Sequence, residues 1–135
     1  MREIKKVVIH CTDSSDSLDI GKKEITDWHK QRGWSDIGYH YVVRGNGSIE
    51  RGRDDRIPGA HVKGHNSDSI GIVWVGKNDI DSRQQDSLIN IVKVMLNLYD
   101  LSIDDVYGHN ELFPGKTCPN LDMDWFRAEL VFKHD

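Results

Sequence analysis

The sequence predicts an α/β fold in a single domain spanning residues 1–135, with a central mixed β-sheet flanked by helices. Three observations carry that expectation. Short apolar runs, Val7-Val8-Ile9-His10 and Ser69-Ile70-Gly71-Ile72-Val73-Trp74-Val75-Gly76, have the length and β-branched content of buried strands. Asn46-Gly47 lies between two extended segments and is a strong hairpin signal. Apolar residues at Leu88, Ile91, Val92, Met95 and Tyr99 recur at helical spacing.

Taken in chain order, Val7–His10 is a strand that ends on a polar tip, and the Ser, Asp and Thr cluster from Thr12 to Asp19 is loop chemistry. Residues 21–32 carry Ile25, Trp28 and His29 on one helical face and stop at Gly33, as a short amphipathic helix does. Tyr41-Val42-Val43-Arg44 and Ser48-Ile49-Glu50-Arg51 flank Asn46-Gly47 as hairpin arms. Residues 69–76 form a central strand. The longest helix opens on a capping box, Ser82 with Gln85 three residues on. Asp105-Val106-Tyr107 is a short strand feeding His109, and Asp122 caps a last helix through Phe132. The chain shows no internal repeat, linker or low-complexity stretch.

Charge and cysteine content narrow the classes of function. The net charge of −4 is spread without a long block of one sign, so no nucleic-acid footprint and no polybasic membrane anchor is expected. No apolar run approaches the roughly 18 residues of a membrane span. Met1-Arg2-Glu3-Ile4-Lys5-Lys6 lacks the apolar core of a secretion signal, and synthesis in a cytoplasm is the expectation. A monomer is expected. Two cysteines make no disulfide framework, and a Cys near His residues reads better as a ligand or a nucleophile.

The chemistry concentrates in Gly108-His109-Asn110-Glu111-Leu112-Phe113-Pro114-Gly115-Lys116-Thr117-Cys118-Pro119, read as a turn-rich loop. With His10 delivered by the first strand, His109 and Cys118 form a set of two imidazoles and a thiolate. That set suits zinc with a fourth position open to water, which is the catalytic form of such a site. The alternative is a Cys118 thiol nucleophile with His109 as its base, which leaves His10 without a role. Cys11 follows His10 directly on an extended chain and should point to the opposite face, away from any metal. His61-Val62-Lys63-Gly64-His65 spaces two histidines by four, but Pro58-Gly59 and Gly64 argue for a loop and the zincin Glu is missing. His61 is therefore expected to contact a ligand, not a metal. His29, His40 and His134 read as structural or solvated. The pairs Asp54-Asp55 and Asp104-Asp105 read as solvated loop charge, because adjacency does not set the separation of a glycosidase dyad.

These residues carry a resemblance. Val8-Ile9-His10-Cys11-Thr12, Gly38-Tyr39-His40-Tyr41-Val42-Val43, Gly47-Ser48-Ile49-Glu50-Arg51-Gly52-Arg53, Gly59-Ala60-His61, Asn66, Ser69-Ile70-Gly71-Ile72, Gly108-His109 and Lys116-Thr117-Cys118-Pro119 follow one another as in the type 2 N-acetylmuramoyl-L-alanine amidases. That family shares its fold with the peptidoglycan recognition proteins, and the compact form here most resembles the lysozyme-amidases of tailed bacteriophages. The resemblance runs from about Val7 to Trp125.

The resemblance implies one zinc ion held by His10, His109 and Cys118, with Tyr39 and Lys116 assisting the chemistry. His61, Asn66 and neighbouring backbone are expected to line the floor of the substrate pocket. It implies peptidoglycan as substrate and cleavage of the amide between N-acetylmuramic acid and L-alanine, in an endolysin made in the host cytoplasm that acts on the wall at lysis. Asn120 departs from the glycine often found after the Cys-Pro pair, which concerns loop geometry and not a ligand. Glu111 and Glu24 are candidates for a general base. Two further readings stay open: a non-catalytic peptidoglycan-binding module, and a second role in binding and inhibiting a phage RNA polymerase, as some phage amidases of this kind do.

Overall fold

The computed structural model describes residues 2–132. Five strands and four helices follow in the order β1 (Lys6–Cys11), α1 (Lys22–Gln31), β2 (Tyr41–Val43), β3 (Ile49–Arg51), β4 (Ser69–Trp74), α2 (Ser82–Leu98), β5 (Val106–Gly108), α3 (His109–Leu112) and α4 (Met123–Phe132). The strands form one sheet in the order β3-β2-β4-β1-β5. All neighbours are parallel except the β2–β3 hairpin, so the sheet is mixed as expected.

Alternation along β1 and β4 divides the interior into two layers. Val7, Ile9 and Cys11 join Ile70, Ile72 and Trp74 on the face covered by α2 and α4, where Leu88, Val92, Met95, Phe126 and Leu130 complete the core. On the other face Val73 packs with Val42, Ile25 and Ile37 beneath α1. The buried side chains of β1 at its even positions include His10, which lies at the C-terminal end of the strand. In parallel α/β sheets, ligands collect at the carboxyl ends of strands because the loops there have room to diverge.

Local chemistry fixes the ends of the elements. In the hairpin, Gly47 takes φ +89°, a conformation a Cβ disfavours, while Asn46 Oδ1 accepts the Ser48 backbone N–H at 2.9 Å. Helix α1 starts at Gly21, whose N–H donates to Glu24 Oε1 at 2.7 Å, and Glu50 of β3 accepts the Lys22 N–H at 2.9 Å. The capping box of α2 sits one residue earlier than the sequence suggested. Asp81, not Ser82, is the cap, accepting the Arg83 N–H at 2.7 Å, and Gln84 reaches back to the Asp81 N–H at 2.9 Å. The buried Gln84 amide decides this register, since it also donates to the Val75 carbonyl at 2.8 Å and ties α2 to the end of β4. Asp122 caps α4 as expected, its Oδ1 accepting from Asp124 and Trp125. His134 lies outside the described residues. Among those described, no helix is long and apolar enough to cross a membrane.

Candidate metal centre and substrate groove

The parallel register of β1 against β5 sets Ile9 opposite Gly108. The residue that follows each of these two is a histidine, so His10 and His109, 99 positions apart in the chain, meet with their Nδ1 atoms at 3.1 Å. The segment after β5 is not a loop throughout, because His109 opens the four-residue helix α3. Gly108 N–H donates to Glu111 Oε1 at 2.8 Å, and the same carboxylate pairs with Arg127, so the His109 backbone is anchored from α4. Cys118 is brought back by its carbonyl, which accepts the Asn110 N–H at 2.9 Å. Its Sγ accepts the Cys11 backbone N–H at 3.0 Å. Cys11 itself turns into the core on the opposite face of β1, as alternation required.

The donors of His10, His109 and Cys118 all lie within 4.8 Å of one another. Tetrahedral zinc with Zn–N distances of about 2.0–2.1 Å separates two nitrogen ligands by about 3.3 Å, close to the imidazole spacing here. Two imidazoles and a thiol fit that ion by chemistry as well. Burial, then the neighbouring His61 and His109, holds His10 well below its ordinary value of 6.5, so it is neutral and keeps a lone pair. His109 is also lowered, by burial and then by the Lys116 charge. The neighbouring Cys11 side chain and then burial raise the Cys118 thiol above its ordinary value.

The residues expected around this centre lie beside it. The Tyr39 ring centroid is 5.1 Å from that of His10. Burial, followed by the Cys118 and Cys11 thiols, raises its phenol well above the ordinary value of 10.0, and Tyr39 stays a hydrogen-bond donor. Lys116 is exposed, with Nζ 6.0 Å from the centre of the Phe113 ring. A groove of about 380 Å³ passes over the site, lined among others by Trp34, His61, Asn66, His109, Phe113 and Lys116. Asn66 holds the groove wall in shape, because its Oδ1 accepts the backbone N–H groups of His61 and Val62 at 2.9 and 2.8 Å.

His61 touches the centre directly. Its Nδ1 lies 2.9 Å from His10 Nε2 and its Nε2 lies 3.1 Å from Ser69 Oγ, so the ring faces the groove while both nitrogens are engaged. Sequence reasoning did not single out Ser69. Strand alternation was the available signal, because it places Ser69 with Gly71 and Val73 on the face that carries His10. Trp34 and Phe113 also line the groove, and no periodic pattern in the sequence around them marks them for it. His29 and His40 are structural, each accepting a backbone N–H at Nδ1, from Gly38 at 2.8 Å and from Gly71 at 3.0 Å. The acidic residues elsewhere serve local structure: Glu24 and Glu111 satisfy N–H groups at helix starts, Asp54 pairs with Arg56, and Asp55 accepts from Tyr41 and Tyr99. Neither glutamate is placed as a base.

The family model described as N-acetylmuramoyl-L-alanine amidase, Amidase_2, matches residues 1–121 and so includes every residue of this centre. The chain belongs to that amidase family. The endolysin of Escherichia phage T7 is 36% identical over 135 residues, covering 93% of this chain and 87% of its own. Among solved structures, the N-acetylmuramoyl-L-alanine amidase LysC from Clostridium intestinale URNW superposes with a TM-score of 0.86 at 30% identity, over 96% of this chain and 87% of its own. Peptidoglycan-recognition protein LB of Drosophila melanogaster is 32% identical over 97 residues, 67% of this chain and 41% of that protein. The superposition covers nearly the whole chain, so the mixed five-stranded sheet and its helices are the amidase fold.

Proposed function

We propose that the protein is a zinc-dependent N-acetylmuramoyl-L-alanine amidase that hydrolyses the amide between N-acetylmuramic acid and L-alanine in peptidoglycan, and that it works as a phage endolysin on the wall of the lysing host. The observation that carries this reading is the meeting of His10, His109 and Cys118 at the carboxyl edge of the sheet, beside a groove open to solvent. Membership of the amidase family and the similarity to phage endolysins support the choice of bond and setting.

Bound by these three residues, zinc would lower the pKa of a water toward ~7 and polarise the scissile carbonyl. The chain supplies the remainder. Tyr39, neutral and beside His10, donates a hydrogen bond toward the reacting carbonyl or the attacking water. Lys116, on the groove wall with His109, places a positive charge where negative charge builds on the carbonyl oxygen. His61 and Asn66, which also line the groove, seat the glycan-peptide junction, and Trp34 and Phe113 offer flat apolar faces to it.

Metal analysis of the purified protein together with wall digestion tests the reading. One zinc per chain and newly exposed L-alanine amino groups are the expected result. Wall binding without released amines would instead make the chain a binding module.

A further inference from the structure

The hydrogen bonds behind His10 have a direction. Ser69 Oγ lies 2.7 Å from the His65 carbonyl oxygen, which can only accept, so the single hydroxyl proton points there. The Ser69 oxygen then accepts from its other buried neighbour, His61 Nε2, at 3.1 Å. A neutral His61 ring that carries its proton on Nε2 is bare on Nδ1. Nδ1 therefore accepts from His10 Nε2 at 2.9 Å. This leaves the lone pair of His10 on Nδ1, the atom that faces His109 Nδ1 at 3.1 Å.

The packing reserves space for this chain of contacts. A Cβ on Gly71 would lie 2.6 Å from two carbons of the His61 ring, and one on Gly59 would lie 2.6 Å from its Cδ2. Both are closer than side-chain carbons approach, so each glycine leaves room for the imidazole. The ring also stands at 90° to that of His10 with centroids 5.0 Å apart, an edge contact that aims a nitrogen and not a face.

We propose that His61 and Ser69 are positioning residues that hold His10 in the Nε2-protonated tautomer, so that its Nδ1 lone pair is directed at the metal centre before any ion arrives. The zinc part of this rests on the reading given under Proposed function; the tautomer part does not. A metal-binding histidine gains both orientation and basicity when its second nitrogen donates to a fixed acceptor, and losing such a partner typically costs 10- to 100-fold in metal affinity. Here the acceptor is another imidazole, whose own tautomer is set by a serine hydroxyl committed to a backbone carbonyl. The relay gives His61 a role in addition to lining the groove.

The first measurement uses the unmodified, metal-free protein. Long-range nitrogen–proton correlation spectra of the ¹⁵N-labelled chain near neutral pH should show His10 and His61 each protonated on Nε2. A His10 ring protonated on Nδ1, or averaging between tautomers, would overturn the relay. The second is zinc affinity by competition with a chromophoric chelator. His61→Leu should weaken zinc binding by roughly 10- to 100-fold, whereas His61→Asn, whose Oδ1 can replace the lost acceptor, should recover most of that loss. Ser69→Ala should leave zinc binding weaker than wild type and let His61 sample both tautomers. Circular dichroism of each variant separates these effects from misfolding, and equal affinity in wild type and folded His61→Leu would also overturn the proposal. If the wild type bound no zinc, the metal reading would fall, and the tautomers in the metal-free chain would still decide the relay.

Discussion

Cys118 is where binding and hydrolysis come apart most cleanly. Cys118→Ser keeps the approximate size of the side chain but replaces a thiolate ligand by a hydroxyl that stays protonated near neutrality. We expect this variant to lose zinc and release no amino groups from the wall, yet still to sediment with purified peptidoglycan, because the walls of the groove stand independently of that sulfur. Activity that survived both this substitution and chelation would show that zinc is not the catalyst. Tyr39→Phe and Lys116→Ala test a different kind of contribution. Neither removes a ligand, so zinc content should remain near normal while turnover drops by roughly 10²–10³, the cost of one lost donor to developing charge. Full activity in either variant would remove that residue from the chemistry.

Among the elements, α2 gives the sharpest comparison, since two adjacent residues both look like caps. Asp81 accepts the Arg83 N–H, and Gln84 closes the box on Asp81, so the first turn depends on Asp81 and not on Ser82. Asp81→Ala should therefore cost about 1 kcal/mol of unfolding free energy, within a usual range of roughly 0.5–2. Ser82→Ala, at the first helical position, should change stability by no more than about 0.5 kcal/mol. Chemical denaturation of the two variants side by side decides which residue caps the helix. The short helix α3 follows a related rule. It is too brief to be stable alone, and it persists through Glu111, which joins its start to α4 by way of Arg127.

Across the whole molecule, burial of several histidines makes stability depend on pH. His29 and His40 must be neutral to accept the N–H groups of Gly38 and Gly71. Burial is the main cause of lowering in both, taking His29 to about 4 from an ordinary 6.5. Over that window the unfolded chain binds more protons than the folded one. The stabilising contribution is thus complete above about pH 6.5 and is lost as pH falls toward the folded values. Urea unfolding of the chelator-treated protein should show a midpoint that falls steadily from about pH 7 to about pH 4, with little change in slope. A flat or rising midpoint across that range would mean that these imidazoles are not held neutral.

Residues and their spacing determined the elements themselves: the strand at Val7–His10, the Asn46-Gly47 turn, the long helix after Ser82 and the capped helix after Asp122 all follow from local rules, which depend on side-chain period and backbone freedom alone. The same local rule placed Cys11 opposite His10. The trio of His10, His109 and Cys118 was legible as a set of residue types that suits a metal and as part of the family resemblance, because metal chemistry restricts such types strongly. Their meeting was not legible. His10 and His109 come together because β1 and β5 pair in parallel with Ile9 opposite Gly108, a register set by how the core packs and not by either segment alone. The shift of the α2 cap from Ser82 to Asp81 has a similar origin, since the Gln84 amide finds the Val75 carbonyl only after β4 is in place. Ser69 and His61 illustrate the rest. A polar residue in an apolar strand and a histidine in a glycine-rich loop carry no local sign of partnership, and only the packed sheet supplies the hydrogen bonds that give each its direction.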